Sequence, residues 1–392
     1  MEKKKIGIAV IGAGAIAGVH IESYKLYPEL CEVRAVCDIF IDKAQQLIDT
    51  YQLNAIAVKD FHEILDNDQI DAVSICQPPS MHAPTAIDCL NGGKHVICEK
   101  PMAGSLEECD QMIEAAQRNG KLLSIMAQNR YKTPNMKVKQ LLDEGAIGPV
   151  LFSTINSFWW RGENYYDLWW RGTWEKESGG CVTNHAVHHI DLTQWMLGMP
   201  TEVSAYISNV GHPNSECEDL AIVTLIYPNM RVQLTATILT RGEEQEMIFH
   251  GKKASIAVPW RCDAMKAQPN GFPEPDDETR DAIQARYDAL PDLEIEGHPA
   301  QIGNFIKSIL GQETLLIDGK QGRNTMELVA AIYKSACFGR TVQLPLPTND
   351  VFYRKGGIAA VMPHYHEKTK SIDNFVGAKR ITLGRDVSDV SK

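Results

Sequence analysis

Over the first third of the chain, short apolar runs alternate with stretches whose apolar positions recur at helical spacing. Residues 6–11, 33–37, 55–58, 72–76, 95–98 and 122–127 read as strands. Residues 15–26 and 42–51 read as helices between them. Pro84 marks the first turn of a further helix, where its missing N–H costs nothing. Ser105 with Glu108 forms a capping box that opens another. Strands alternating with helices predict a parallel, doubly wound sheet.

Beyond about residue 130 the rhythm changes. Strands at 150–157, 202–207, 219–227, 231–239, 246–250 and 254–258 follow one another with few helices between them, and Pro228-Asn229 marks a turn. This predicts a large, mostly antiparallel open sheet. A continuous helix is expected over 182–197, with two more near 299–310 and 324–338. Residues 259–297, rich in proline and acidic groups, read as an excursion or lid. The chain from 347 reads as a surface arm. The class is therefore α/β: a nucleotide-binding type of domain over 1–128, an α+β domain over 129–346 and an arm over 347–392.

Composition narrows the functions. The 392 residues carry 39 Lys and Arg against 50 Asp and Glu, a net charge of −11. Without a basic block this is a poor partner for nucleic acid, whose affinity depends on neutralised phosphates. No apolar run is long enough to span a bilayer. The ten cysteines are scattered, with no CxxC, which indicates neither zinc nor disulfides and fits a reducing cytoplasm. Lys3 to Lys5 and the apolar stretch to Ala17 imitate a secretory signal, but Gly7, Gly12 and Gly14 interrupt it, and a strand with a glycine turn is the better reading.

That turn is Gly12-Ala13-Gly14-Ala15-Ile16-Ala17, a G-x-G-x-x-A between a strand and a helix. Its first glycine makes the turn; its second lets backbone approach a pyrophosphate resting on the helix N-terminus. Asp38 ends the second strand at the distance where a carboxylate accepts from ribose hydroxyls. It would repel a 2′-phosphate, and no arginine adjoins it, so NAD is expected rather than NADP. Lys100, in Glu99-Lys100-Pro101, ends the fifth strand and is aimed where a nicotinamide would lie.

The glycine turn, Asp38, Gln77-Pro78-Pro79 with His82, Glu99-Lys100-Pro101, and the later Gly179-Gly180 run into His188 and Asp191 occur in an order that resembles the Gfo/Idh/MocA oxidoreductases. The resemblance spans about residues 5–345. It implies a Rossmann domain followed by a domain whose open sheet mediates dimers or tetramers, and sugar or cyclitol substrates. It places Lys100 in the catalytic site and Gly12, Gly14, Ala15, Ile16, Asp38, Gln77, Pro78, His82, Glu99 and Lys100 around the cofactor. It makes His188 the acid/base, where relatives carry an Asp four residues earlier; here that residue is Asn184.

On a regular helix Asn184 and His188 share a face, as do His185 and His188. An alcohol losing hydride also loses its hydroxyl proton, and histidine is the usual acceptor near neutral pH. Asn184 is therefore expected to orient His188 as a neutral partner, with the division of labour between His185 and His188 left open. No HExxH or third ligand supports a metal. Five of the seven tryptophans fall in 158–174, among them Trp170 and Trp174, beside Arg171. Such rings stack on sugar faces. Arg171, Trp170 and Trp174, with Asn129 and Arg130 after the sixth strand, are the expected substrate contacts.

The chemistry expected is NAD-dependent oxidation of a secondary ring hydroxyl of a sugar, glycoside or cyclitol. The rivals are a glycosidase or lyase that oxidises, eliminates and re-reduces on retained NAD, and a non-catalytic sugar sensor.

Overall fold

The computed structural model describes residues 5–373. Six strands, β1 (Ile6–Ile11), β2 (Cys31–Cys37), β3 (Ile56–Val58), β4 (Ala72–Ile75), β5 (His95–Cys98) and β6 (Leu123–Ile125), form a wholly parallel sheet in the order β3-β2-β1-β4-β5-β6. Every residue of β1 is buried, because helices cover both faces of a parallel sheet. The strand order reverses beside β1, so the crevice at its carboxyl end is the place where such sheets take ligands. The capping box is present: Ser105 Oγ accepts from Glu108 N at 3.2 Å and lies 2.8 Å from Glu108 Oε2.

The second sheet has nine strands in the order β14-β13-β12-β11-β7-β10-β9-β8-β15. They are β7 (Val150–Phe158), β8 (Glu202–Ser208), β9 (Leu220–Ile226), β10 (Arg231–Thr237), β11 (Gln245–Gly251), β12 (Ala254–Val258), β13 (Arg261–Ala267), β14 (Pro273–Pro275) and β15 (Val342–Gln343). All neighbours are antiparallel except β7 and β10, which run parallel. Helices Val187–Leu197 and Gly319–Phe338 lie on this domain, and the second is buried along most of its length. Among the described residues, Phe152, Tyr206 and Ile222 are exposed on the other face.

Three stretches differ from the sequence expectation. The acidic excursion at 259–297 continues the sheet as β13 and β14 and then forms helix Asp277–Ala289. Only Ala264 of β13 is buried, so the strand has no apolar alternation to announce it. The helix expected over 182–197 begins as a π-turn, Val182–Ala186, and becomes α-helical at Val187. The arm is not free of the body: Phe352, Tyr353, Ile358 and Met362 are buried in it. The end of that arm, 374–392, lies outside the described residues. Helix Gly297–Ile309, from the second half of the chain, packs Ile302, Phe305 and Ile306 into the same cluster as Ile8, Val10 and Ile21 of the nucleotide domain.

Candidate active site

The glycine turn is built for close approach. Gly12 has φ +98°, and a Cβ there would sit 2.7 Å from the carbonyl oxygen of Cys76. A Cβ on Gly14 would meet nothing within 4 Å. No side chain caps the helix Ala15–Lys25 that follows, so its first amides remain for an anion. Asp38 accepts from Ala13 N at 2.8 Å and from Phe40 N at 2.9 Å. The carboxylate thus pins the turn. These features fit a dinucleotide.

Lys100 stands at the end of β5. Its Nζ donates to the main-chain carbonyl of Asn184 at 3.4 Å, which ties the nucleotide domain to the π-turn. Burial holds the Lys100 ammonium below its ordinary pKa, against the opposing pull of Glu99. His188 lines a cavity with Lys100, Met126 and Asp191. Burial, reinforced by the Lys100 charge, holds its imidazole well below the ordinary histidine value, so it is neutral near pH 7. His185 is also held well below by burial and then by Arg161, but its surroundings differ. Its ring lies 5.6 Å from that of Trp159 and 5.8 Å from that of Tyr165, and its Nδ1 is buried without a hydrogen bond.

The π-turn is held from below by Glu218. Its carboxylate accepts from Gly180 N at 3.1 Å, Val182 N at 3.0 Å and the Tyr333 hydroxyl at 3.0 Å. Burial pushes the Glu218 carboxyl up to about 7. The double glycine has a packing reason: a Cβ on Gly180 would fall 1.9 Å from the carbonyl oxygen of Glu218. The aromatic loop closes the other side. Arg171 lies over the rings of Tyr165 and Trp170, 4.1 and 4.2 Å from their centroids, and donates to Tyr165 Oη and, at 2.9 Å, to buried Glu177. Arg161 pairs with Glu243 at 2.7 Å.

Two family models match the chain: the oxidoreductase family's NAD-binding Rossmann fold over residues 6–127 and its C-terminal alpha/beta domain over 139–344. The chain belongs to the Gfo/Idh/MocA oxidoreductases. It is 25% identical over 364 residues to D-glucoside 3-dehydrogenase of Escherichia coli, covering 88% of this chain and 99% of that one. It is 30% identical over 189 residues to inositol 2-dehydrogenase of Salmonella typhimurium, 48% of this chain and 53% of the relative. The WlbA dehydrogenase of Bordetella pertussis, solved with NADH and UDP-GlcNAcA, superposes with a TM-score of 0.76 at 27% identity, covering 88% of this chain and all of that one. The N-terminal domain is thus an NAD-binding Rossmann domain, and the protein is an oxidoreductase.

Within this Gfo/Idh/MocA enzyme several expected contacts fall elsewhere. Arg130 is fully buried and chelates Asp191 through Nε and Nη2, both at 2.7 Å; it is an internal ion pair, not a substrate contact. Trp174 is buried against Tyr333 and donates its indole N–H to the Pro363 carbonyl, so it belongs to the core. His82 is buried between the carbonyls of Gln77 and Pro101, at 2.8 and 2.7 Å, and stitches the cofactor loops rather than touching a ligand. Glu99 is buried too. Although desolvation opposes it, hydrogen bonds with His20 and His298 hold its carboxyl well below the usual range.

Asn184 does not orient His188. Its amide donates to the carbonyls of Gly179 and Gly180, at 3.1 and 3.3 Å, because the π-turn breaks the regular helical spacing. Ala15, Ile16, Pro78 and Asn129 follow strands of the parallel sheet at its carboxyl edge. Gln77 lies there too and keeps a buried Oε1 without a partner. Tyr165 and Arg161 belong to the aromatic, arginine-bearing loop but were not singled out within it, and Glu177 and Glu218, which brace the loop and the π-turn, were not singled out at all. For Arg161 a signal existed: Trp-Trp-Arg occurs twice, at 159–161 and 169–171. Nothing distinguishes Glu177 or Glu218 from other acidic residues in the sequence.

Proposed function

We propose that the enzyme oxidises a secondary ring hydroxyl of a neutral sugar, glycoside or cyclitol to a ketone. The observation that carries this is that Lys100, at the carboxyl edge of the sheet that holds the glycine cradle, bonds the Asn184 carbonyl on the turn that leads into His188, and shares with His188 the lining of a cavity of about 20 Å³. Bound NAD supplies the hydride acceptor. Neutral His188 takes the hydroxyl proton. Lys100, anchored on the Asn184 carbonyl, donates a hydrogen bond to the reacting oxygen and stabilises the charge that develops there. Tyr165 and Trp170 supply ring faces around the sugar, and His185 adds an imidazole whose Nδ1 has no other partner among the described residues.

A neutral substrate is favoured over a uronate because both arginines of the loop are already paired, Arg161 with Glu243 and Arg171 with Glu177. They offer directed N–H groups more than net charge. The exposed Phe152, Tyr206 and Ile222 on one face of the nine-stranded sheet support self-association through that face, which light scattering on the purified protein checks. The function is tested by following NAD reduction over a panel of monosaccharides, inositols and methyl glycosides, with glucuronate as the charged control. Reduction with a neutral member and none with glucuronate is expected. Folded, NAD-binding protein that oxidises no member of the panel overturns the reading.

A further inference from the structure

The match to the family's C-terminal domain ends at residue 344, but the chain continues and returns to the substrate side. Residues 363–372 lie along the aromatic loop. Ile372 pairs with Leu168 in a parallel bridge: Ile372 N donates to the Asp167 carbonyl at 2.8 Å, and Trp169 N donates to that of Ile372 at 3.0 Å. Lys368 Nζ donates to the carbonyl of Tyr166. Tyr365 N donates to Glu216, whose own N–H donates to the Gly172 carbonyl at 2.8 Å.

Buried Asn214, on the β8–β9 connection, joins the two segments. Its Oδ1 accepts from Thr369 N and Lys370 N, both at 2.9 Å. Its Nδ2 donates to the carbonyls of Tyr166 and Lys370, at 3.0 and 3.1 Å, and to Asp167 Oδ1 at 3.2 Å. One amide therefore satisfies backbone groups of both segments at once. The loop needs such support, because its own regular structure between β7 and the π-turn is a 3₁₀ stretch at Glu163–Asp167 and one helical turn at Trp174–Glu177.

We propose that 363–372 is a strap that holds the aromatic loop in its sugar-binding conformation, with Asn214 as the positioning residue that fastens it. The strap lies outside the part of the chain that matches the family. The proposal rests on the reading that this loop lines the sugar pocket. It implies that the pocket is preformed, with Tyr165 and Arg171 placed before substrate arrives.

Two variants test it: Asn214→Ala, and a chain ended after Glu367, which keeps Pro363 over Trp174 and Tyr365 in place. Hydrogen–deuterium exchange of peptides within 158–178 should quicken about tenfold, as expected when several hydrogen bonds that close a local segment are lost. Exchange in the Rossmann domain and NAD affinity should not change. On whichever panel sugar the wild type oxidises best, KM should rise about fivefold with kcat within about twofold. Unaltered exchange in 158–178 in both variants overturns the strap. So does equal acceleration across both domains with falling NAD affinity, which makes the segment a general stabiliser. Exchange needs no substrate, so a panel without a positive sinks the proposed function and leaves this test standing.

Discussion

The glycine cradle and the proposed sugar pocket meet at Lys100, which bonds the Asn184 carbonyl, and they are built in opposite ways. The cradle is local. Gly12 to Ala17 supply the turn and the helix end, and Asp38 closes it by bonding back to Ala13. Its chemistry is backbone chemistry, so glycine spacing is its blueprint. The pocket is assembled from side chains far apart in sequence: Lys100 from the first sheet, His185 and His188 from the π-turn and its helix, Arg161 to Glu177 from the loop, and Glu218 and Asn214 behind them. A local site can be read and altered one residue at a time. An assembled site depends on supports that touch no ligand.

The largest expected effect belongs to the point where the two meet. Lys100→Met should lower turnover by about 10²-fold or more, the range for a positioned electrostatic or proton-transfer group. The melting temperature should change little, because the ammonium makes one long hydrogen bond. His188→Ala should cost at least as much. In the wild type, the acid limb of kcat/KM should fall below the ordinary histidine value of about 6.5, since His188 is held neutral by burial and by Lys100. Loss of that limb in His185→Ala but not in His188→Ala would reassign the base.

Glu218→Gln tests whether the pocket rests on a buried support. The Glu218 carboxyl is raised to about 7 in the fold, above its unfolded value. Between about pH 4.3 and 7 the native state then binds more protons than the unfolded state, so this group makes stability fall as pH rises. The stability lost in this way is roughly 4 kcal/mol over that window. It is absent below the window, where both states are protonated. Denaturant titrations at pH 5 and 7 should show wild type losing more stability than Glu218→Gln over the interval. Identical losses in the two proteins remove Glu218 from this role.

The same contrast explains what was legible. Each strand of the parallel sheet, the capping box at Ser105 and the glycine turn lay in contiguous pattern, and all are present. Asp191, part of the run that resembles the family, pairs within the fold with Arg130. Arg130 itself was misplaced because a sequence does not say whether an arginine at a strand end turns inward, and here Asp191 and Gln321 draw it in. Asn184 was misjudged because helical spacing was assumed through a π-turn, which has no residue signature in Val182–Ala186. Trp174 sat in an aromatic run with the composition of a pocket, yet its indole is covered by a segment nearly two hundred residues later.

Within the cradle, the two glycines should separate fold from cofactor. Gly12→Ala places a Cβ against the Cys76 carbonyl at a positive φ and should destabilise the domain by about 1–3 kcal/mol. Gly14→Ala has open space and ordinary backbone angles, so thermal stability should hold. NAD affinity should nevertheless fall about tenfold, because the added methyl stands where the pyrophosphate approaches. Equal effects of both substitutions on stability would show that the second glycine serves the fold and not the ligand.

The smallest effect, and the sharpest test of local design, is at Asp38. Its carboxylate holds Ala13 N and Phe40 N, so it braces the turn, and on the proposed reading it also selects the cofactor. Asp38→Ser leaves one oxygen that can accept from the backbone and removes the charge that repels a 2′-phosphate. NAD binding should weaken by about tenfold, the cost of losing hydrogen bonds to a charged acceptor. NADP binding should hold or improve slightly, so the ratio of the two dissociation constants narrows, mainly from the NAD side. Titrating both cofactors into both proteins by fluorescence quenching reads this directly. Equal weakening for NAD and NADP would mean that Asp38 acts only by bracing the turn, and cofactor choice would then lie outside the cradle.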